Sequence, residues 1–345
     1  MYSQWRLSEF YYNILTFKKS TSDKWGKYMK KRYLFLILIV LSIASIFIGV
    51  SSISIKDIFE LNIDKLEVIF ISRLPRLIAI IVAGVGLSIS GLIMQQISKN
   101  KFVSPTTAAT VDFAKLGILF SMVVLTSATT MQKMITAFIF AVVGTMIFMK
   151  MIKAIKLKNI IFVPLVGMML GKVVGSITTF ISLKYDLVQN VTSWMEGDMS
   201  LIMKGGYELL YLSIPMVILA FLYANKFTIV GMGEEFSINL GLNYNFVVNV
   251  GLVIVALISA VTIITVGNIP FLGLIIPNIV SLYSGDNLKK TLYHTALLGP
   301  VFLLICDILG RIIIFPFEIS IGMMVGVIGS AIFLYMIIRG TKDEE

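Results

Sequence analysis

The sequence predicts an all-α membrane protein with about ten transmembrane helices. Two observations carry that expectation. Of 345 residues, 57% are hydrophobic and only 14% are charged, against about 25% charged in an average soluble domain. A soluble fold must leave part of its chain in water and has too little interior to hide so much apolar surface. The second observation is order. Apolar runs recur from Tyr33 to Ile338, separated by short polar stretches.

A span needs about 20 mainly apolar residues. Ten runs qualify, at about 33–50, 75–95, 113–127, 133–151, 160–183, 207–224, 247–266, 271–283, 293–314 and 321–338, the third and eighth being short. Backbone groups in lipid must be paired within the segment, so these runs are read as helices; the alternating pattern of barrel strands is absent.

Lys and Arg in the loops set the orientation. Residues 1–32 carry Arg6, Lys18, Lys19, Lys24, Lys27, Lys30, Lys31 and Arg32, which keeps that end in the cytoplasm. With ten crossings, nineteen of the 29 basic residues fall on the cytoplasmic side. Nine crossings would put the Lys150, Lys153, Lys156 and Lys158 group or the C-terminal end on the wrong side. The expected division is a basic N-terminal segment over 1–32, a transmembrane domain over 33–338, a cytoplasmic coupling segment over 231–246 and a tail over 339–345. Both termini are then cytoplasmic, in a bacterial cell membrane. The first 28 residues, with Trp5, Tyr11, Tyr12, Phe17 and Trp25, lack the apolar core and cleavage site of a signal peptide. They read as an interfacial anchor, or as residues upstream of a true start at Met29.

Several runs carry small residues four apart: Gly167, Gly171 and Gly175; Gly322 and Gly326; Ala79 and Ala83. Such stripes let helices approach closely in lipid.

Little in the chain suggests catalysis. The net charge of +10 sits in short loops rather than in a nucleic-acid module. Cys306 cannot form an internal disulfide and reads as a buried small hydrophobe. His294 is the single histidine, so no metal site is expected. The stretch Gly167–Lys172 superficially resembles a phosphate loop but is one residue short between its glycines and has Val173 where a Ser or Thr would hold magnesium. No catalytic residue and no cofactor are predicted, and the energy for any transport must come from a partner or an ion gradient.

Charges inside the spans are candidates for function. Asp112 and Lys115, three apart, share a helix face. Lys172 lies in the fifth run without a local partner. Asp307 and Arg311 are four apart in the ninth. A charge at mid-bilayer costs about 2.5–3.5 kcal/mol on insertion scales. Asp112, Lys115 and Lys172 are therefore candidate path-lining residues, with structural pairing as the plainer reading. Embedded carboxylates are few and each stands beside a cation, which disfavours a gradient-driven proton relay.

Particular motifs add a resemblance. Ser72-Arg73-Leu74-Pro75-Arg76-Leu77, Ser90-Gly91-Leu92-Ile93-Met94-Gln95-Gln96, Gly273-Leu274-Ile275-Ile276-Pro277-Asn278, Asp307 with Arg311, Ile321-Gly322, and Gly233-Glu234-Glu235-Phe236-Ser237-Ile238-Asn239-Leu240-Gly241-Leu242 together resemble the permeases of iron-siderophore and vitamin B12 importers driven by ATP-binding cassettes. The likeness covers about residues 30–340. Ser98–Thr107 and Phe315–Ser320 bring the chain nearest to permeases for petrobactin and catechol-type siderophores. The resemblance implies a type II importer permease fold, a second permease (identical or homologous, with a heterodimer favoured), two cytoplasmic ATPases and an extracellular siderophore-binding lipoprotein. It also implies that Arg73, Arg76 and Arg311 meet glutamates of that lipoprotein, and that Gly233, Glu234, Glu235, Leu240, Gly241 and Leu242 couple to the ATPases. Cobalamin or haem import by the same machinery is the alternative substrate reading. A gradient-coupled carrier is the alternative mechanism. The chain departs from the family at Pro277-Asn278, where most members have Pro-His, and at Val111–Lys115, where many have a glycine-rich turn.

Overall fold

A computed structural model describes residues 31–49, 63–125, 129–155, 162–200, 202–284 and 288–342. The expectations for residues 1–30, including a start at Met29, for Lys156 and Lys158, and for the end of the tail at 343–345 lie outside the described residues. Every named element is helical, and an isolated bridge between Glu196 and Asn268 is the one strand-like pairing among the described residues.

The helices are α1 (Lys31–Phe47), α2 (Ile63–Val68), a π-turn (Ile69–Arg73), α3 (Leu74–Ser98), α4 (Thr110–Val124), α5 (Thr130–Ile155) and α6 (Phe162–Lys184). There follow α7 (Val188–Met195), a 3₁₀ turn (Glu208–Leu212), α8 (Ser213–Leu222), α9 (Ala224–Met232), α10 (Glu234–Asn239), α11 (Tyr244–Val266), α12 (Leu272–Ser284), α13 (Leu288–Ile312) and α14 (Ile321–Lys342). Each of the ten apolar runs thus contains a helix. Five helical stretches are long and apolar enough to cross a bilayer unaided, and a sixth arises if the 61° bend between α8 and α9 lies within one span. The others are shorter. The 15 residues of α4 and the 13 of α12 rise only about 20 Å at 1.5 Å per residue.

Sequence patterning left one thing out. The stretch before α4 reads as a polar loop, yet Val103, Ser104, Ala108 and Ala109 are buried in the bundle. Irregular backbone at that depth needs its own hydrogen bonds. Here Ser104 N–H donates to Thr107 Oγ1 at 2.8 Å, Thr107 N–H donates to Ser104 O at 3.1 Å, and Ala108 N–H to the same oxygen at 3.0 Å. The Ser-Pro-Thr-Thr run supplies these bonds locally. Asn278 anchors the same stretch to α12: its Nδ2 donates to Lys101 O at 2.7 Å and to Leu274 O at 2.8 Å.

The hub is α3, which packs against α11, α12 and α13 as well as α1, α8 and α9. Its small residues make this approach feasible. A side chain at Gly84 would strike the backbone of Pro300 on α13, and one at Gly91 would overlap the backbone of Gly273 on α12. Two apolar clusters fill its two halves: Ala79, Ile80 and Ala83 with Leu303, Leu304 and Cys306, and Ile89, Ile93 and Ile97 with Phe227, Leu252 and Val255. Cys306 is fully buried and unbonded to another cysteine, as its apolar neighbours predict. The glycine stripe of α6 is used in part. Gly167 and Gly171 meet Thr107 and Asp112, whereas Gly175 faces open space.

Candidate functional site

Three arginines and two carboxylates gather where α3 begins and α13 ends. The π-turn delivers Arg73, and Arg76 sits in the first turn of α3. Arg76 Nε and Nη2 donate to Asp307 Oδ1 at 3.1 and 2.7 Å, and its Nη1 donates to Glu318 Oε2 at 2.6 Å. Asp307 Oδ2 also accepts from Arg311 one turn further along α13. Arg311 Nη1 donates to the carbonyls of Ser45 and Ile48, both at 2.9 Å, and Arg73 donates to the same Ile48 carbonyl. The cluster therefore ties the end of α1, the start of α3, the end of α13 and the loop before α14 into one knot. Gly49 leaves the space that the Arg73 guanidinium fills.

The resemblance brought Arg73, Arg76 and Arg311 forward as residues at the extracellular end that meet glutamates of a capture lipoprotein. In the structure they are turned into the protein, with only 9%, 9% and 3% of their surface accessible. Among the described residues, Arg76 and Arg311 share the carboxylate of Asp307, and Arg76 also pairs with Glu318. The residue that sequence reasoning passed over is Glu318. It lay inside a quoted motif but was given no role. Its signal was an acid between the last two apolar runs, on the same expected side as three arginines.

The segment 231–246, expected from the resemblance to couple to ATPases, lies at the other end of α3, about 37 Å away for 25 residues. Lys99, just past α3, approaches Gly233, just before α10. Gly233 (φ +129) and Gly241 (φ +74) bracket this six-residue helix in backbone conformations that side chains rarely adopt. Its exit is a Schellman closure: Leu242 N–H donates to Ser237 O at 3.0 Å and Gly241 N–H to Ile238 O at 2.9 Å. Ser237 faces inward, while Glu234, Glu235, Phe236, Ile238 and Leu240 face outward. Leu242 packs onto the core, and Asn243 caps α11 by accepting from Phe246 N–H at 3.1 Å. Exposed Phe236, Ile238 and Leu240 at a loop tip form an apolar patch in want of a cover.

The third group of candidates lies between these ends. Gly171 lets α6 cross α4 directly over the Asp112 carboxylate, and Lys115 and Lys172 are both within electrostatic reach of it. Among the described residues neither lysine closes a direct ion pair with Asp112. Asp112 and Lys115 are half-buried and Lys172 is exposed. Ser176 and Thr179 continue that exposed line along α6. No group of three His, Cys, Asp or Glu side chains suited to a metal occurs among the described residues.

A helical bundle with five helices long and apolar enough to cross a bilayer, and a sixth if the bent pair is one span, has the build of a polytopic membrane protein. The chain belongs to the FecCD transport family, whose model matches residues 37–339. Its work is transport, and it is not an enzyme. It is 63% identical over 311 residues to the petrobactin import system permease protein of Bacillus subtilis, covering 90% of this chain and 98% of that protein. It is 36% identical to a petrobactin import permease of Bacillus anthracis, over 89% of this chain and 90% of that one. It is 38% identical to the ferric-anguibactin transport permease of Vibrio anguillarum, over 89% of this chain and 98% of that one. In fold it is similar to a metal-chelate type ABC transporter solved in an inward-facing conformation, with TM-score 0.75, 20% identity and coverage of 90% and 98% of the two chains.

Proposed function

We propose that this chain is a membrane-spanning permease subunit of an ATP-driven importer of ferric siderophores, of the petrobactin or catechol type. The observation that carries the reading is the near-full-length identity to permeases named for petrobactin and ferric-anguibactin. The chain works as one of two permeases, the second a homologue, above two cytoplasmic ATPases and beneath a siderophore-binding lipoprotein. It lies in the bacterial cell membrane with both termini in the cytoplasm.

Each of the three residue groups has a part in that scheme. The segment 231–246 offers Phe236, Ile238 and Leu240 to a groove on an ATPase, with Glu234 and Glu235 at the start of α10; the Ser237 hydroxyl, which donates to Ile229 O, and the closing turn tie the helix to its neighbours so that a push is passed on. Arg73, Arg76 and Arg311 form the docking face for carboxylates of the lipoprotein, because guanidinium groups bind carboxylates with defined geometry. Lys172, near the middle of a 23-residue membrane helix and exposed, lines a wet path between two permeases, with Asp112 and Lys115 behind it.

The test is reconstitution of the permease with its ATPases and capture protein in lipid vesicles. Ferric petrobactin or a ferric catecholate on the capture protein should raise ATP hydrolysis and fill the vesicles with iron. Stimulation by cobalamin or haem alone would overturn the substrate assignment. Uptake driven by an ion gradient without any ATPase would overturn the mechanism.

A further inference from the structure

We propose that Glu318 is an internal competitor of the capture protein: it holds the position on Arg76 that a partner carboxylate takes on docking. The inference rests on the docking reading given above. Arg76 is gripped from two sides, and the two grips differ. Asp307 accepts from Nε and Nη2, its side chain is 1% accessible, and it also accepts from Arg311. Nothing arriving from outside can replace it. Glu318 contacts Nη1 through a single oxygen at 2.6 Å, and its side chain is 23% accessible. It is the replaceable partner.

The surroundings fit an exchange. Glu318 rides on the loop between α13 and α14, where Phe315 and Phe317 are 64% and 74% exposed and Ile313 and Ile314 are exposed as well. Exposed aromatic side chains next to an arginine are the residue types that anchor protein interfaces. A partner carboxylate cannot reach the three buried arginines unless something yields. Swapping one carboxylate for another on Nη1 preserves the charge balance of the knot, so no guanidinium is left unpaired in the low-dielectric interior. The loop is held at its far side by Ile319 N–H donating to Gly310 O at 3.0 Å. Release of Glu318 would free the loop's tip and leave this anchor in place.

Closure by an internal acid reduces apparent affinity by the fraction of time the face is open. Removing the acid should therefore tighten binding. The experiment uses the full permease–ATPase complex in nanodiscs and its capture protein, comparing wild type with Glu318→Gln and Glu318→Asp. A second readout locates the contact: Phe317→Cys is labelled by a maleimide with and without the capture protein, the native Cys306 being fully buried. We expect Glu318→Gln to lower the capture protein's Kd by about five-fold, Glu318→Asp to shift it in the same direction, and the label to be blocked on docking. A Kd unchanged or raised in both variants, with Phe317→Cys still protected, would overturn the competitor and leave docking at this face intact. An unprotected Phe317→Cys together with an unchanged Kd would overturn both.

Discussion

Arg76 and Asp307 stand 231 residues apart in sequence and share two hydrogen bonds, at 2.7 and 3.1 Å. Asp307 also holds Arg311, so one carboxylate satisfies two buried cations. Deleting one partner of a buried ionic group leaves uncompensated charge and costs about 3–5 kcal/mol. Asp307→Ala should lose that much stability, read as a lower unfolding temperature in detergent and poor recovery as a monodisperse protein. Recovery and melting equal to wild type would show that the knot does not hold α1, α3 and α13 together.

Gly91 and Gly175 test where the bundle is tightest. A Cβ at Gly91 would overlap the backbone of Gly273, and neither α3 nor α12 has a flexible side chain there to give way. Overpacking of a core typically costs 1–3 kcal/mol, so Gly91→Ala against rigid backbone should cost about 3 kcal/mol. Gly175→Ala meets nothing within 4 Å and gains helix propensity, about 0.8–1.0 kcal/mol. The pair should move in opposite directions in a thermal unfolding assay.

The helical runs and the basic-loop bias were legible because a span is a long, one-dimensional signal. Arg73, Arg76, Arg311, Gly233 and Gly241 stood out in sequence as positions. Their geometry did not. Whether Arg76 faces a partner or Asp307 depends on a contact across 231 residues, which no local pattern encodes. The buried course of 102–109 escaped notice for a related reason. Ser104, Thr106 and Thr107 look polar in sequence, but their hydroxyls are consumed by the adjacent backbone and by one another, and the segment can be buried.

The proposed coupling helix, α10, separates shape from contact. Gly241 sits at φ +74 with no neighbour within 4 Å of a would-be Cβ. The cost of Gly241→Ala is therefore conformational, about 1–2 kcal/mol, and falls on the Schellman turn alone. Phe236→Ser with Ile238→Ser leaves the backbone untouched and strips the exposed apolar patch. The double variant should fold and insert normally yet lose co-purification of the ATPases. Retained co-purification would remove α10 from the coupling role.

Lys172 offers the sharpest contrast between lipid and water. Its helix is 23 residues long, it lies near the midpoint, and its side chain is exposed. Facing lipid, the ammonium would cost about 2.5–3.5 kcal/mol, and Lys172→Met would stabilise the protein while leaving transport alone. Facing a wet path, the charge is solvated, the substitution brings no such gain, and the path loses an attraction for an anionic chelate. Local positive charge raises encounter rates by ten-fold or more. Lys172→Met should then lower uptake of an anionic ferric chelate about ten-fold, with unchanged melting temperature and unchanged capture-protein affinity. Lys172→Arg, which keeps the charge, should restore most of the uptake. A stabilised Lys172→Met protein with wild-type transport would place this face of α6 against lipid.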